Sequence, residues 1–123
     1  MYDGPHIVDQ LNPTHDEIRA WAHSGALEPM QDWDLVIAEP ANLDVLLSLV
    51  GDPTCPARRY LLGSLYCLVG HSDHTDPRLQ DAARVAASSS DGWVSTWGHQ
   101  VARVLAHPSE FHRDDWCFSN DGS

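Results

Sequence analysis

Apolar residues recur along this chain at the three- and four-residue spacing of helix faces, and strand-type alternation is absent beyond four residues anywhere. Thr14-His15-Asp16-Glu17 reads as a capping box, with Ile18, Trp21 and Ala22 sharing a face behind it and Gly25 as a left-handed stop. A second helix is expected to open at Pro29, carry Met30, Trp33 and Ile37, and end at Pro40. A third begins near Asn42 and places Leu43, Leu46, Leu47 and Val50 on one stripe before Gly51-Asp52-Pro53.

Thr54 is the expected cap of a fourth helix, stopped by Gly70. Tyr60, Leu61, Ser64, Leu65, Leu68 and Val69 share its face, widened by Leu62, Tyr66 and Cys67, so it should lie at the centre. Thr75 and Pro77 start a fifth, whose Ala82, Ala83 and Ala86 would let a neighbour come close. The sixth runs from about Asp91 to His107, with Val94, Trp97, Val101, Val104 and Leu105 inward and Pro108 as its breaker.

Short connections between helices favour antiparallel neighbours. The expected fold is therefore all-α, a compact single-domain bundle of about six short antiparallel helices spanning residues 14–107. Pro5 and Pro13 mark a loose N-terminal arm over residues 1–13, and an acidic-aromatic tail occupies 108–123. An α-solenoid fragment is set aside because no motif repeats at a fixed period. A chain of 123 residues with 42% hydrophobic positions suffices for one core without staples.

Charge narrows the functional classes. Asp and Glu total 18 against 7 Arg, no lysine occurs, and the net charge is -11. Such a surface repels nucleic acid phosphates and anionic lipid, whereas it attracts a basic protein and speeds the encounter in a salt-dependent way. Solubility alone is the competing explanation of the acidity. No apolar stretch follows a basic start, so no secretory signal is expected and the location is read as cytoplasmic. Cys55, Cys67 and Cys117 show no C-x-x-C spacing, and Cys67 reads as a small core residue.

Chemistry-bearing constellations are sparse. His71-x-x-His74, with Asp73 and Asp76, is the best candidate for metal ligation, although two histidines in a loop do not define a site and a polar helix connection is the favoured reading. Cys117 near His112, Asp114 and Asp115 suggests a thiol nucleophile, but neighbouring acids oppose thiolate formation. His15, Asp16 and Glu17 would make an acid–base group were Glu17 not already explained by capping. Nucleotide-binding glycine signatures and a nucleophile elbow around Ser64 are lacking. The expectation is a protein that is not an enzyme and needs no cofactor.

Asp32-Trp33-Asp34 and Asp114-Asp115-Trp116 repeat an acid–aromatic pattern suited to gripping a basic surface, since Trp anchors and carboxylates steer. Trp33 also falls on an apolar stripe, which favours the core for it. Arg58 and Arg59 open the central helix against its dipole, so a carboxylate such as Asp52 is expected to compensate them.

Two stretches carry a resemblance: Asp52 to Leu62 leading on to Leu65-Tyr66-Cys67-Leu68-Val69-Gly70, and Trp97 to Leu105 followed by Phe111 and Asp115-Trp116-Cys117. Together they resemble small helical proteins of high-GC soil bacteria. In size, acidity and helical make-up the chain is also similar to immunity proteins of bacterial toxin systems. That resemblance implies an inhibitor that binds a cognate toxin and blocks it. The candidate partner-binding residues are Asp16, Glu17, Asp32, Asp34, Asp114, Asp115 and Trp116. The alternatives are a metal protein or small enzyme centred on His71 and His74, and a homo-oligomeric structural module.

Overall fold

In a computed structural model of the chain, which describes residues 4–71 and 76–111, the first helix starts where its capping box requires. Helix α1 (His15–Ser24) has Thr14 accepting from the Glu17 amide, while the Glu17 carboxylate accepts from the Thr14 amide at 2.8 Å. Gly25 ends α1 at φ 75°, a conformation that glycine adopts without steric penalty. Buried Pro13 just before the cap and buried Ile18 four residues inside it occupy the positions of a hydrophobic staple.

The second helix is shorter than its stripe suggests. Pro29 and Met30 lie in a bend, Asp32 adopts a left-handed backbone at φ 61°, and α2 (Trp33–Val36) is a single turn. Trp33 and Ile37 are fully buried, as the spacing requires, but burial of both needs only one turn between them. Asn42 Nδ2 then donates to the Ile37 carbonyl at 3.0 Å and closes the segment. A 3-10 turn over Pro40–Asn42 leads into α3 (Leu43–Val50).

Thr54 does not cap the next helix. Its amide and hydroxyl both donate to Asp52 Oδ1, at 2.9 and 2.7 Å, forming a turn that delays α4 (Arg58–His71). The helix also continues one residue past Gly70. Leu61, Leu62, Leu65, Tyr66, Leu68 and Val69 are each no more than 1% exposed. Apolar all round, α4 is the central helix, and α2, α3 and α6 pack around it.

Helices α5 (Pro77–Ala87) and α6 (Gly92–Ala106) form the most intimate pair. Asp76 and Asp91 cap them by accepting from the amides of Arg78 and of Trp93 and Val94. A methyl group on Gly98 would sit 2.8 Å from the Ala83 carbonyl oxygen, so the two backbones touch where α5 offers only alanines. Six α-helices and two 3-10 turns, with no strand among the described residues, make an all-α bundle around one core.

Both flanking segments reach the bundle. Ile7 joins the core at 5% exposure and so seats its part of the N-terminal segment on the bundle. At the other end the Phe111 ring stacks on Tyr66, with centroids 5.0 Å apart, and lies directly against Gly70.

Candidate protein-interaction surface

The N-terminal segment is held by buried Ile7 and Pro13 and by backbone groups, which leaves Val8 and Leu11 outside. Val8 donates its amide to Glu17 Oε2 at 3.0 Å, and Trp33 Nε1 donates to the Gln10 carbonyl at 2.9 Å. Between these two ties a tight turn forms: Asp9 Oδ1 accepts from the Leu11 amide, and the Asp9 carbonyl accepts from Asn12. With Ile7 pointing into the core, alternation turns Val8 outward at 82% exposure, and Leu11 follows at 64%.

The segment runs alongside α1 in the opposite direction. Gly4 and Pro5 face Ser24, Gly25 and Ala26 at the end of α1, lining an open groove of about 380 Å³. Val8 meets Glu17 at the beginning of the same helix. Beyond the groove Leu27 projects outward at 80% exposure while its carbonyl accepts from Trp21 Nε1 at 3.0 Å.

Three aromatic rings support these two exposed segments from below. Trp21 meets Trp33 edge-on at 4.9 Å and Tyr60 at 5.0 Å, and the Tyr60 hydroxyl donates to Glu28 Oε2 at 2.6 Å. Burial, followed by the bond to Glu28, pushes the Tyr60 phenol far above its ordinary range, so it stays a proton donor. Large apolar groups buried with a polar tip in use make a stiff platform.

The sequence-derived candidates are distributed unevenly over this face. Asp16 is almost fully exposed in the first turn of α1, 3.3 Å from Arg19. Glu17 spends both carboxylate oxygens on the Thr14 and Val8 amides, and those backbone bonds, Thr14's first, hold its pKa below the usual carboxylate range. It is a structural clasp. Asp32 is exposed at the left-handed position before α2, and Asp34 is half-buried, its carbonyl accepting from Ser64 Oγ at 2.7 Å. Trp33, between them, belongs wholly to the core. Asp114, Asp115 and Trp116 lie outside the described residues, as do Cys117, His112 and His74.

The acid–base grouping at α1 is not assembled, because His15 Nε2 lies 3.0 Å from the Ala41 carbonyl oxygen while Glu17 is committed to amides. Among the described residues no group of three or more His, Cys, Asp or Glu is placed to hold a metal, and no helix is long and apolar enough to cross a membrane. Cys55 and Cys67 are buried, and burial raises the Cys55 thiol pKa, which suits a core residue rather than a nucleophile.

Cations are engaged inside the chain. Arg19 pairs with Asp16, Arg78 with Asp76 and Asp44, and Arg84 with Asp81. Arg58 forms its close ion pair with Asp91 at 3.3 Å, while the expected Asp52 feels its charge at longer range, a minor cause of the lowered Asp52 pKa; Arg58 Nε donates to the Val50 carbonyl at 2.7 Å. Arg59 lies 3.9 Å from the centroid of a Trp93 ring, a cation–π pair.

The exposed apolar residues Val8 and Leu11 were missed by periodicity because proline flanks them and no helix contains them. The available signal was the capping box itself: a box preceded by proline and an Ile-Val pair implies a chain laid back against its helix. Comparison with family models, curated proteins and solved structures returned no match to this chain.

Proposed function

We propose that this chain is a small acidic binding protein of the immunity or inhibitor class, acting in the cytoplasm to neutralise a basic protein partner such as a toxin. The observation that carries this reading is the internal commitment of its cations. Arg19, Arg58, Arg78 and Arg84 each spend their charge on a carboxylate of the chain itself and Arg59 lies on an indole, and since the sequence has 18 carboxylates against 7 arginines a net charge of -11 is left over. Asp9, Asp16, Glu28 and Asp32 are exposed carboxylates on α1, on the segments either side of it and before α2, with Asp16 paired to Arg19. A potential of one sign over a rigid face steers and orients a partner of the opposite sign. It also disfavours nucleic acid and anionic membranes as targets.

The test is affinity capture from the source cells at low and moderate salt, followed by titration of the purified partner. The reading requires a basic partner whose association slows several-fold as salt rises. Neutralising Asp9, Asp16 and Glu28 as amides should flatten that salt dependence. A tightly bound partner whose association is indifferent to both salt and these substitutions would overturn it.

A further inference from the structure

Arg59, Gly63, Tyr66 and Gly70 recur at helical spacing and form one stripe of α4. Ser64, bonded to the Asp34 carbonyl of α2, and Arg58, bonded to the end of α3 and the cap of α6, stand about a third of a turn to either side of it. An aromatic ring marks each end of the stripe. The Arg59 guanidinium lies 3.9 Å from the centroid of a Trp93 ring, and Phe111 stacks on Tyr66 so close to Gly70 that a methyl group there would collide with its ring. Among the described Phe, Tyr and Trp residues only Trp93 is exposed, at 51%.

Phe111 leaves its place on the stripe with an extended backbone, at φ -68° and ψ 126°. Arg59 is eleven residues back along α4 from Gly70, a rise of about 16 Å. Trp116 is five residues on from Phe111, and an extended chain of that length reaches about 17 Å.

We infer that residues 112–123 dock along this stripe of their own chain, with the Trp116 ring against Trp93 and the Asp114 and Asp115 carboxylates against the Arg59 guanidinium. Charge selects the place. The segment holds three aspartates and one arginine, a chain of net charge -11 repels it, and Arg58 with Arg59 is the only pair of adjacent arginines in the sequence. The tether raises the effective concentration of the segment to the millimolar range, so a contact of modest strength suffices. Such docking makes the acid–aromatic tail a strap and the Arg59–Trp93 pair its receptor, and it does not depend on a basic partner.

The test uses isotope-labelled full chain. Nuclear Overhauser contacts should connect the Trp116 ring to Trp93 and to the Gly63 α-protons at every protein concentration. Joint Asp114→Asn and Asp115→Asn substitution should weaken them and shift the Arg59 Nε–H signal. Arg59→Gln, at an exposed position, should weaken the same contacts without disturbing the core. A synthetic peptide of residues 112–123 should restore the Trp93 indole signal of the Trp116→Ala chain, and the unaltered chain should need at least about tenfold more peptide to respond.

Contacts from Trp116 to α5, or to none of the described residues, would overturn the docking. Contacts at Trp93 that appear only as protein concentration rises would make a second copy's tail the occupant and overturn the intramolecular strap. Contacts indifferent to both the paired aspartate substitution and Arg59→Gln would overturn the recognition by charge.

Discussion

Trp33 Nε1 donates to the Gln10 carbonyl at 2.9 Å, so the innermost indole of the bundle holds a surface turn in place. A hydrogen bond from a buried donor contributes modestly in itself, but leaving its partner unmade is expensive. Trp33→Phe removes the donor and part of the ring while keeping an aromatic group against Trp21. We expect a loss of about 2–4 kcal/mol in global stability, from the cavity and the lost bond together. Amide exchange should rise most at Val8, Leu11 and Asn12, whose amides tie the seated segment to Glu17 and close its turn on Asp9. Exchange that rises uniformly across α4 and α6, with those three amides no more affected, would contradict the pinning role.

Two glycines of α6 should respond to alanine with opposite sign. At Gly98 the new methyl would meet the Ala83 carbonyl oxygen at 2.8 Å, and backbone atoms cannot rotate away. Alanine's helix propensity, favourable by about 1 kcal/mol, is outweighed by an overpacking penalty of about 1–3 kcal/mol. Gly92 has open space around the same position, so Gly92→Ala should be neutral or slightly stabilising. Urea midpoints of the two variants decide the matter; equal effects would mean that α5 and α6 do not touch at Gly98.

The bundle was legible because its helices carry their own punctuation. Thr14 with Glu17, Gly25, Asp91 and the breaker Pro108 all act where periodicity puts them, and the apolar circumference of α4 marked it as central. Misreadings arose where a side chain answers to a partner outside the helical spacing. Asp32 turns left-handed before a Trp33 drawn toward Gln10, which shortens α2, and Asp52 claims Thr54, which delays α4. Arg58 reserves its close ion pair for the cap of α6, a pairing that only the packing of two helices creates, and acts on Asp52 only at longer range. The interaction surface was half visible: acids such as Asp16 and Asp32 stood out as charge. Val8, Leu11 and Leu27 have no period to betray them, because irregular segments carry their exposed apolar residues without one.

Acid should weaken the fold through three carboxylates. Glu17, Asp52 and Asp76 all have lowered pKa values, from bonds to Thr14, to Thr54 and to Arg78 respectively as the largest cause. A depressed folded-state pKa contributes stability that is fully present above the unfolded value and disappears as pH falls through the folded one. The loss should therefore begin near 4.5 for Glu17 and 3.8 for the two aspartates and deepen below them. Urea titrations between neutral and strongly acid pH measure it. Glu17→Gln should make the acid slope shallower, and an unchanged slope would refute the clasp as a source of the dependence.

Arg58 and Arg84 both form ion pairs, yet their removal should differ several-fold in effect. The Arg58 side chain is only 19% exposed and joins three helix ends, donating to the last carbonyl of α3 and to the Asp91 cap of α6 from the first turn of α4. Arg58→Met keeps much of the apolar stem but strands the Val50 carbonyl and leaves Asp91 without its cation. That should cost about 1–3 kcal/mol. Arg84 is exposed on both sides of its pair with Asp81, so Arg84→Met should stay within about 0.5 kcal/mol. Added salt separates the two further: the Arg84 effect should vanish in about 1 M salt, where screening acts within a few ångströms, while the Arg58 effect persists because its bond to a carbonyl does not depend on a counter-charge. Comparable losses for the two variants at high salt would place the strength of the α3–α4–α6 junction elsewhere than in Arg58.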